Sequence, residues 1–363
     1  MLGTATEAEL KWMEDKRKDP AFLQEMQKFG NFVHGTHVAG ITVKNNPEGK
    51  ILSVKLIPTE IKPFFDGLNS QTQKDNGVAI GEMSQEEKDW RMQILRAGLT
   101  TLAGEQMKLL EEIAAYVGGH QAEVANGSFG TGFNQAKMIT DNAFRVVFQK
   151  DPTTEESNDL ATYFLDQLIL AGRQMVGAAP NTLFVFAAGN DGSNNDVYPT
   201  SPTNIDADNV ISVAATYKYD IIAPFSNYGT RTVDVAAPGM LINSQIPGNE
   251  YLEVSGTSQA APYVANIAAQ IKDMNKNLTP KQMKEIIMGT VDLKSFLDDK
   301  VKAKGIVNME RALQAARLSL GTDVQTAIAE ARVSVDDVRT TTNKSNLGSL
   351  FGIQPIPLQS LFQ

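Results

Sequence analysis

Two residue types that can share one acyl-transfer reaction occur in this chain in short settings of small residues: a hydroxyl nucleophile and a neutral base. The hydroxyl is Ser258, in Val254-Ser255-Gly256-Thr257-Ser258-Gln259-Ala260-Ala261-Pro262. A serine becomes a nucleophile only where it is exposed at a tight turn beside a base. Gly256 suits such a turn because glycine tolerates backbone angles that other residues avoid. Ala260 and Ala261 suit the start of a helix that packs closely beneath it. At a helix N-terminus the free N–H groups and the dipole favour developing negative charge. Taken alone, the stretch reads equally well as a capped helix in a core.

The base must be histidine, the side chain that titrates near neutrality. The chain has 3 histidines, two of them in Phe32-Val33-His34-Gly35-Thr36-His37-Val38-Ala39-Gly40-Ile41. The third, His120, stands in a Gly-Gly-His-Gln turn. His34 or His37 is therefore the base, and His37 reads better as a structural residue of a buried helix. Gly35, Ala39 and Gly40 suggest a helix start pressed against a neighbour. A third stretch, Leu183-Phe-Val-Phe-Ala-Ala-Gly-Asn-Asp-Gly192, is an apolar run that breaks into a Gly-Asn turn at Asn190. In isolation Asn190 is readable as a turn residue that tolerates a left-handed backbone.

The elements that must position these groups follow from periodicity. Residues 5–29 read as amphipathic helix divided by Pro20. Ile51–Ile57 reads as a short strand, Gln106–Val117 and Asn158–Met175 as helices, and Glu123–Gly130 as a strand entering a turn. Leu183–Ala187, Val210–Ala215 and Thr232–Gly239 read as buried strands. Gln259–Met274 and Thr279–Met288 read as helices, the second started by Thr279-Pro280, and Gly305–Leu313 as a strand leading into a helix. Residues 58–100 and 131–156, polar and weakly periodic, read as surface insertions, and from about 319 the chain turns polar. Strands that alternate with helices and are apolar throughout mark a mostly parallel sheet covered on both faces. In such sheets reactive residues gather where strands end and helices begin.

Composition narrows the function further. The chain has 363 residues, a net charge of −9 and 42% hydrophobic residues. The acidic balance argues against nucleic acid, which calls for a basic face. The absence of cysteine excludes disulfides, thiolate metal sites and a thiol nucleophile. No run is long enough to span a membrane, and Met1–Lys18 is too polar for a signal peptide.

Taken in order, His34, Asn190 and Ser258 resemble the subtilisin-like serine peptidases (the subtilase, or peptidase S8, family). The residues that carry the likeness are His34-Gly-Thr-His-Val-Ala-Gly40, Ala187-Ala-Gly-Asn190 and Gly256-Thr-Ser-Gln-Ala-Ala-Pro262. Asn126-Gly-Ser-Phe-Gly130, Phe225-Ser-Asn-Tyr-Gly229 and Ala237-Pro-Gly239 extend it. The resemblance implies an α/β fold, three-layered and doubly wound, with helices on both faces of a mostly parallel sheet. It makes His34 the general base, Ser258 the nucleophile, and the Asn190 side chain with the Ser258 N–H the oxyanion donors. It places Asn126, Ser128, Phe129, Gly130, Ala188 and Gly189 along the substrate, with Val197 as a floor to the pocket. Polypeptides are the implied substrates. No cofactor is required for the chemistry, and calcium on surface loops is a family habit for which no ligands are readable here.

On this likeness residues 1–30 are a helical segment ahead of the histidine motif. Residues 31–318 form the peptidase domain, with insertions near 58–103 and 131–157, and residues 319–363 are a C-terminal extension. One family part is missing. The aspartate that ends an apolar strand upstream of the histidine, in an Asp-Thr-Gly or Asp-Ser-Gly setting, has no counterpart. Only Asp15 and Asp19 precede His34, and both read as solvated helix charges. A chain starting downstream of that aspartate explains this, with an extracellular or cell-envelope parent. It would leave the edge of a neighbouring strand unpaired. Three functions are then in play: an endopeptidase, a catalytically impaired peptide-binding or interaction domain, and another serine acyl hydrolase. The last ranks lowest because no G-x-S-x-G elbow surrounds Ser258.

Overall fold

A computed structural model describes residues 6–56 and 83–339, residue 17 excepted. Helix α1 (Glu7–Lys16) and helix α2 (Pro20–Thr42) are separated at Pro20, as the sequence predicts. Asp19 is the N-cap of α2, accepting from the N–H groups of Ala21 and Phe22, and it pairs with Lys16 at 2.9 Å. It is therefore a capping residue more than a solvated charge. α2 does not begin at the histidine motif, as expected, but runs through it unbroken. Its buried residues Gly30, Val33, His37 and Ile41 recur every three or four positions, so one stripe faces inward.

Residues 51–56 form no strand, and Ile51, Leu52 and Val54 are exposed. A strand exists only where a neighbour takes its hydrogen bonds, and none pairs with this segment among the described residues. Ile57 and most of the expected insertion at 58–103 lie outside the described residues. The remainder is not a surface elaboration: helix α3 (Gln85–Gly119) begins far upstream of the expected Gln106. Leu95, Leu99, Ala103, Met107, Leu110 and Ala114 form its buried stripe. Strand β1 (Val124–Gly127) follows. The second stretch, expected to be polar and irregular, is also corrected in part: residues 133–148 form helix α4 (Phe133–Phe148), which buries Phe133, Ala136, Ile139, Phe144 and Phe148. Helix α5 (Thr154–Gly177) opens with a capping box between Thr153 and Glu156.

The remaining strands are β2 (Leu183–Ala187), β3 (Val210–Tyr217), β4 (Ile221–Ile222), β5 (Val235–Pro238), β6 (Ile242–Ile246), β7 (Glu250–Val254), β8 (Asp292–Leu293) and β9 (Gly305–Ile306). Between them lie helices α6 (Thr257–Met274) and α7 (Pro280–Gly289), and α8 (Met309–Leu318) and α9 (Val324–Ser334) close the series. The main sheet has the order β1-β2-β3-β5-β9-β8, with β4 added to β3. Pairs β1/β2, β2/β3, β3/β5 and β5/β9 are parallel, and β3/β4 and β8/β9 antiparallel. β6 and β7 form a separate hairpin that the sequence reading missed.

Alternation along β2 shows how the layers arise. Leu183, Val185 and Ala187 join one core with residues of α6, α7, α8 and α9, while Phe184 and Phe186 join another with α3, α4 and α5. Successive strand residues point to opposite faces, so this strand needs apolar residues at every position. This is the three-layer α/β fold the sequence implies. Its C-terminal part reaches further than expected: α9 buries Val324, Ala327, Ile328 and Ala331. Beyond α9, buried Arg311 holds the Val335 carbonyl at 2.9 Å, Asp337 at 2.8 Å and Asp292 at 3.0 Å. Residues 324–338 are thus part of the same body, not a polar tail. The apolar stretches at 350–353 and 361–362 lie outside the described residues.

Candidate active site

The turn after β2 and the start of α6 are built for each other. Gly189 has φ +110°, a conformation that disfavours a Cβ, and a Cβ there would meet the Asn227 side chain. The turn it permits brings Asn190 over α6. The Asn190 Oδ1 accepts from the Thr257 N–H at 2.9 Å and from the Thr257 hydroxyl at 3.0 Å. The same hydroxyl accepts from the Gly189 N–H at 3.1 Å. With its carbonyl oxygen engaged twice, the Asn190 amide is fixed in orientation, and its Nδ2 keeps both N–H groups for another acceptor.

A second set of bonds holds the turn from behind. Asn227 Oδ1 accepts from the N–H groups of Asp191 at 2.8 Å and Ser193 at 3.1 Å. Asn227 Nδ2 donates to Asn195 Oδ1 at 3.0 Å, and Asn195 Nδ2 donates to the Ala188 carbonyl at 2.9 Å. Both asparagines are buried, where an unpaired amide would be costly. Asn195 and Thr257 were not singled out from the sequence, and Asn227 only as part of a matching segment. Thr257 stands beside Ser258 and Asn227 within a matching segment, whereas Asn195 carries no local signal.

At the N-terminus of α6 the first N–H groups have no helical partner. That of Thr257 goes to Asn190, and that of Gln259 to the Gly256 carbonyl at 3.1 Å. The Ser258 N–H is left for a ligand. The Ser258 hydroxyl donates to the Ser128 carbonyl at 3.3 Å, and the Ser128 hydroxyl donates back to the Ser258 carbonyl at 2.9 Å. This pair clamps the serine turn to the segment after β1.

His34 reaches the site from α2, which three contacts fasten. Buried His37 puts Nε2 3.1 Å from the Ile242 carbonyl and 2.9 Å from that of Leu252, tying the helix to the β6–β7 hairpin. The Ser244 hydroxyl donates to the His37 carbonyl at 2.8 Å. Asn266 of α6 donates to the carbonyls of Thr42 at 2.8 Å and Lys44 at 3.0 Å, capping the helix end. His37 is thus the structural histidine, as the sequence suggests. His120 lies far from the site in a turn, its Nδ1 2.9 Å from the Tyr116 carbonyl.

His34, Asn190, Gly256, Ser258 and Gln259 line one cavity of about 10 Å³, close to the room one water molecule takes. The structure therefore gathers the three motif residues. It does not join His34 to Ser258 by a hydrogen bond, and the His34 Nε2 is buried without a partner. Burial pushes the His34 imidazole down to about 4, with a smaller contribution from His37. Among the described residues no carboxylate bonds to it. β1 is the terminal strand of the sheet, and its outer edge is unpaired among the described residues.

The other predicted site residues divide into two groups. Asn126 donates to Ser128 at 2.9 Å, and Phe129 packs edge-on against Phe186. The main chain of Ala188 and Gly189 is engaged internally, with Ala188 N–H on the Val213 carbonyl and Asn227 N–H on the Gly189 carbonyl. Those two residues shape the turn. Gly130 lies against Ser201, and Thr131 beyond it already pairs with Ser201. Val197, expected as a pocket floor, is mostly exposed. No group of three or more acidic or histidine side chains that could hold a metal occurs among the described residues, and no described helix is long and apolar enough to cross a membrane.

Known proteins resemble the chain. The family model described as Peptidase_S8, the subtilase family, matches residues 13–317. A thermophilic serine proteinase of Bacillus sp. (strain AK1) is 48% identical over 96 residues, 26% of this chain and 22% of that protein. The cell wall-associated protease of Bacillus subtilis (strain 168) is 39% identical over 116 residues, 32% of this chain and 12% of that one. Subtilisin BL of Lederbergia lenta is 34% identical over 130 residues, 36% and 45% of the two chains. The matches thus span less than half the length of each of these relatives. A solved structure of proteases from Pseudoalteromonas arctica PAMC 21717 aligns over 54% of this chain and 51% of its own, with 27% identity and a TM-score of 0.35. A family match covering most of the chain, and running through every motif residue gathered at this cavity, places the chain in the subtilase family.

Proposed function

We propose that the chain acts as a serine endopeptidase, with Ser258 as nucleophile, His34 as general base and Asn190 with the Ser258 N–H as oxyanion donors. The observation that carries this reading is the double engagement of Asn190 Oδ1 by Thr257, which leaves its Nδ2 and the Ser258 N–H as donors beside one cavity. In the reaction the Ser258 hydroxyl leaves Ser128 and attacks the scissile carbonyl, passing its proton to His34 Nε2. The carbonyl oxygen gains the negative charge and is held by the two donors. Collapse reforms the carbonyl, breaks the C–N bond and sends the proton from His34 to the leaving amine. Polypeptides are the substrates, aligned along the segment Ser128–Gly130.

Two observations favour a second reading, a peptide-binding domain with impaired catalysis. Ser258 is bound to Ser128 rather than to His34, and no carboxylate orients His34 among the described residues. Loss of the orienting carboxylate costs a serine peptidase roughly 10⁴-fold in turnover.

A fluorophosphonate probe separates the two. The peptidase reading expects labelling at Ser258, found by peptide mapping, that disappears in Ser258→Ala and in His34→Ala. Labelling indifferent to His34 removes the proposed base. Peptide binding with no labelling at any probe concentration establishes the second reading.

A further inference from the structure

Helix α6 has a gap in its hydrogen bonding at the nucleophile. In an α-helix each carbonyl accepts from the N–H four residues on. Four residues on from Ser258 stands Pro262, inside the helix. Proline has no N–H, and its ring crowds the carbonyl it faces. The helix therefore offers the Ser258 carbonyl no donor at that place. Ser128 supplies one. Its hydroxyl donates to the Ser258 carbonyl at 2.9 Å, and both residues are buried, where an unmet carbonyl would be costly.

The direction of this bond is fixed from behind. Asn126 Nδ2 lies 2.9 Å from Ser128 Oγ. An amide N–H only donates, so the hydroxyl accepts from Asn126 and its single proton is left for Ser258. β1 places Asn126 opposite Val185 of β2. The Asn126 Oδ1 is buried without a partner, a cost borne at the residue whose nitrogen directs Ser128. The return bond, from the Ser258 hydroxyl to the Ser128 carbonyl, is 3.3 Å, long for an O–H···O pair. The Ser258 hydroxyl can leave it while the shorter bond still holds the main chain.

Building on the peptidase reading, we infer that Ser128 is a positioning residue for the nucleophile: its hydroxyl takes the place of the helical donor missing at Pro262 and holds the first turn of α6. It acts through the Ser258 main chain, not on the reacting atoms. The segment that aligns the substrate, Ser128–Gly130, is then the segment that holds the nucleophile, so one contact sets the two against each other. Reactions depend steeply on such placement, and an error of about 1 Å costs on the order of 10²-fold.

The test is the rate of fluorophosphonate labelling at Ser258 in the full chain, measured across a cycle of Ser128→Ala and Pro262→Ala. Ser128→Ala removes the donor and is expected to slow the maximal labelling rate about 10-fold, with little change in the probe concentration giving half that rate. Pro262→Ala restores an N–H at the fourth position, so in that background Ser128→Ala is expected to cost less than about 3-fold. A merely structural serine would show the same loss in both backgrounds, and that result overturns the inference. So does labelling of Ser128→Ala within about two-fold of wild type. A change confined to the half-maximal concentration overturns it too, by assigning Ser128 to holding substrate. Should Ser128→Ala not fold, Ser128→Cys, whose thiol donates only weakly, gives the same reading. A wild-type chain that never labels at Ser258 overturns the peptidase reading, and this one with it. Labelled wild type with Ser128→Ala unaffected overturns this one alone.

Discussion

The two halves of the site are held to different standards. On the serine side the groups that fix the turn are paired: Asn190 Oδ1 has two partners, Asn227 bonds to four residues through its side chain, and Ser258 and Ser128 clasp each other. On the histidine side the helix is fastened through His37 and Asn266, but the imidazole that matters has a buried nitrogen with nothing to bind. Electrostatic preorganisation is therefore present where the oxyanion would form and absent where the proton would go. On the proposed mechanism, a site so divided would stabilise a tetrahedral anion better than it would generate the alkoxide.

The sharpest way to break that contrast is to spoil the better half. Asn190→Asp keeps an oxygen to accept from Thr257, so the turn should persist, but it puts an acceptor where the anion needs a donor. Labelling of Ser258 is expected to fall by about 10³-fold or more, at the upper end of what an oxyanion donor supplies. A loss of less than about three-fold would mean that Asn190 only shapes the turn. The support behind it comes next. Asn227→Ala strands the N–H groups of Asp191 and Ser193 and takes a donor from Asn195 and Thr200. Urea unfolding should show a loss on the order of 4 kcal/mol, from four lost hydrogen bonds at about 0.5–1.5 kcal/mol each. Asn227→Asp, which keeps the acceptor for the two N–H groups, should recover part of it. Equal stability of the Ala variant and wild type would show the network to be dispensable.

The same division marks what could be read from the residues in order. The serine and oxyanion turns are local, and their glycines, alanines and hydroxyls sit next to the groups they position. The buried strands announce themselves because a two-sided sheet needs apolar residues at every position, as in Leu183–Ala187. Long-range fastenings are silent: nothing around Asn266 says that it caps α2, and nothing in Ser244 says that it bonds to His37. Two errors had a periodic signal that polar neighbours obscured. Phe133, Ala136, Ile139, Phe144 and Phe148 lie on one face of α4, and Leu95, Leu99 and Ala103 continue the stripe of α3. The error at Ile51–Leu56 was of another kind. Its residues suit a strand, but strand propensity expresses packing against neighbours, and this segment pairs with none among the described residues.

The histidine side makes the last and smallest prediction. Burial holds the His34 imidazole at about 4, against 6.5 for an unperturbed histidine. Between those values the unfolded chain binds a proton that the folded chain refuses. Stability from this group is therefore complete above about pH 6.5, falls as pH drops toward 4, and changes no further below it. The loss should be no more than about 3 kcal/mol. It is read as the difference between wild type and His34→Gln in urea unfolding at pH 7.5 and 4.5, a comparison in which the carboxylates and His37 largely cancel. The same shift has a kinetic face. A base that stays neutral down to about pH 4 should leave the acid limb of Ser258 labelling near that value instead of near 6.5. A carboxylate on the imidazole would act in the opposite direction, stabilising the imidazolium and raising both the limb and the basicity. A limb at 6.5 or above, with a flat stability difference, would show that His34 has found a partner in solution and that the two halves of the site are equally well held.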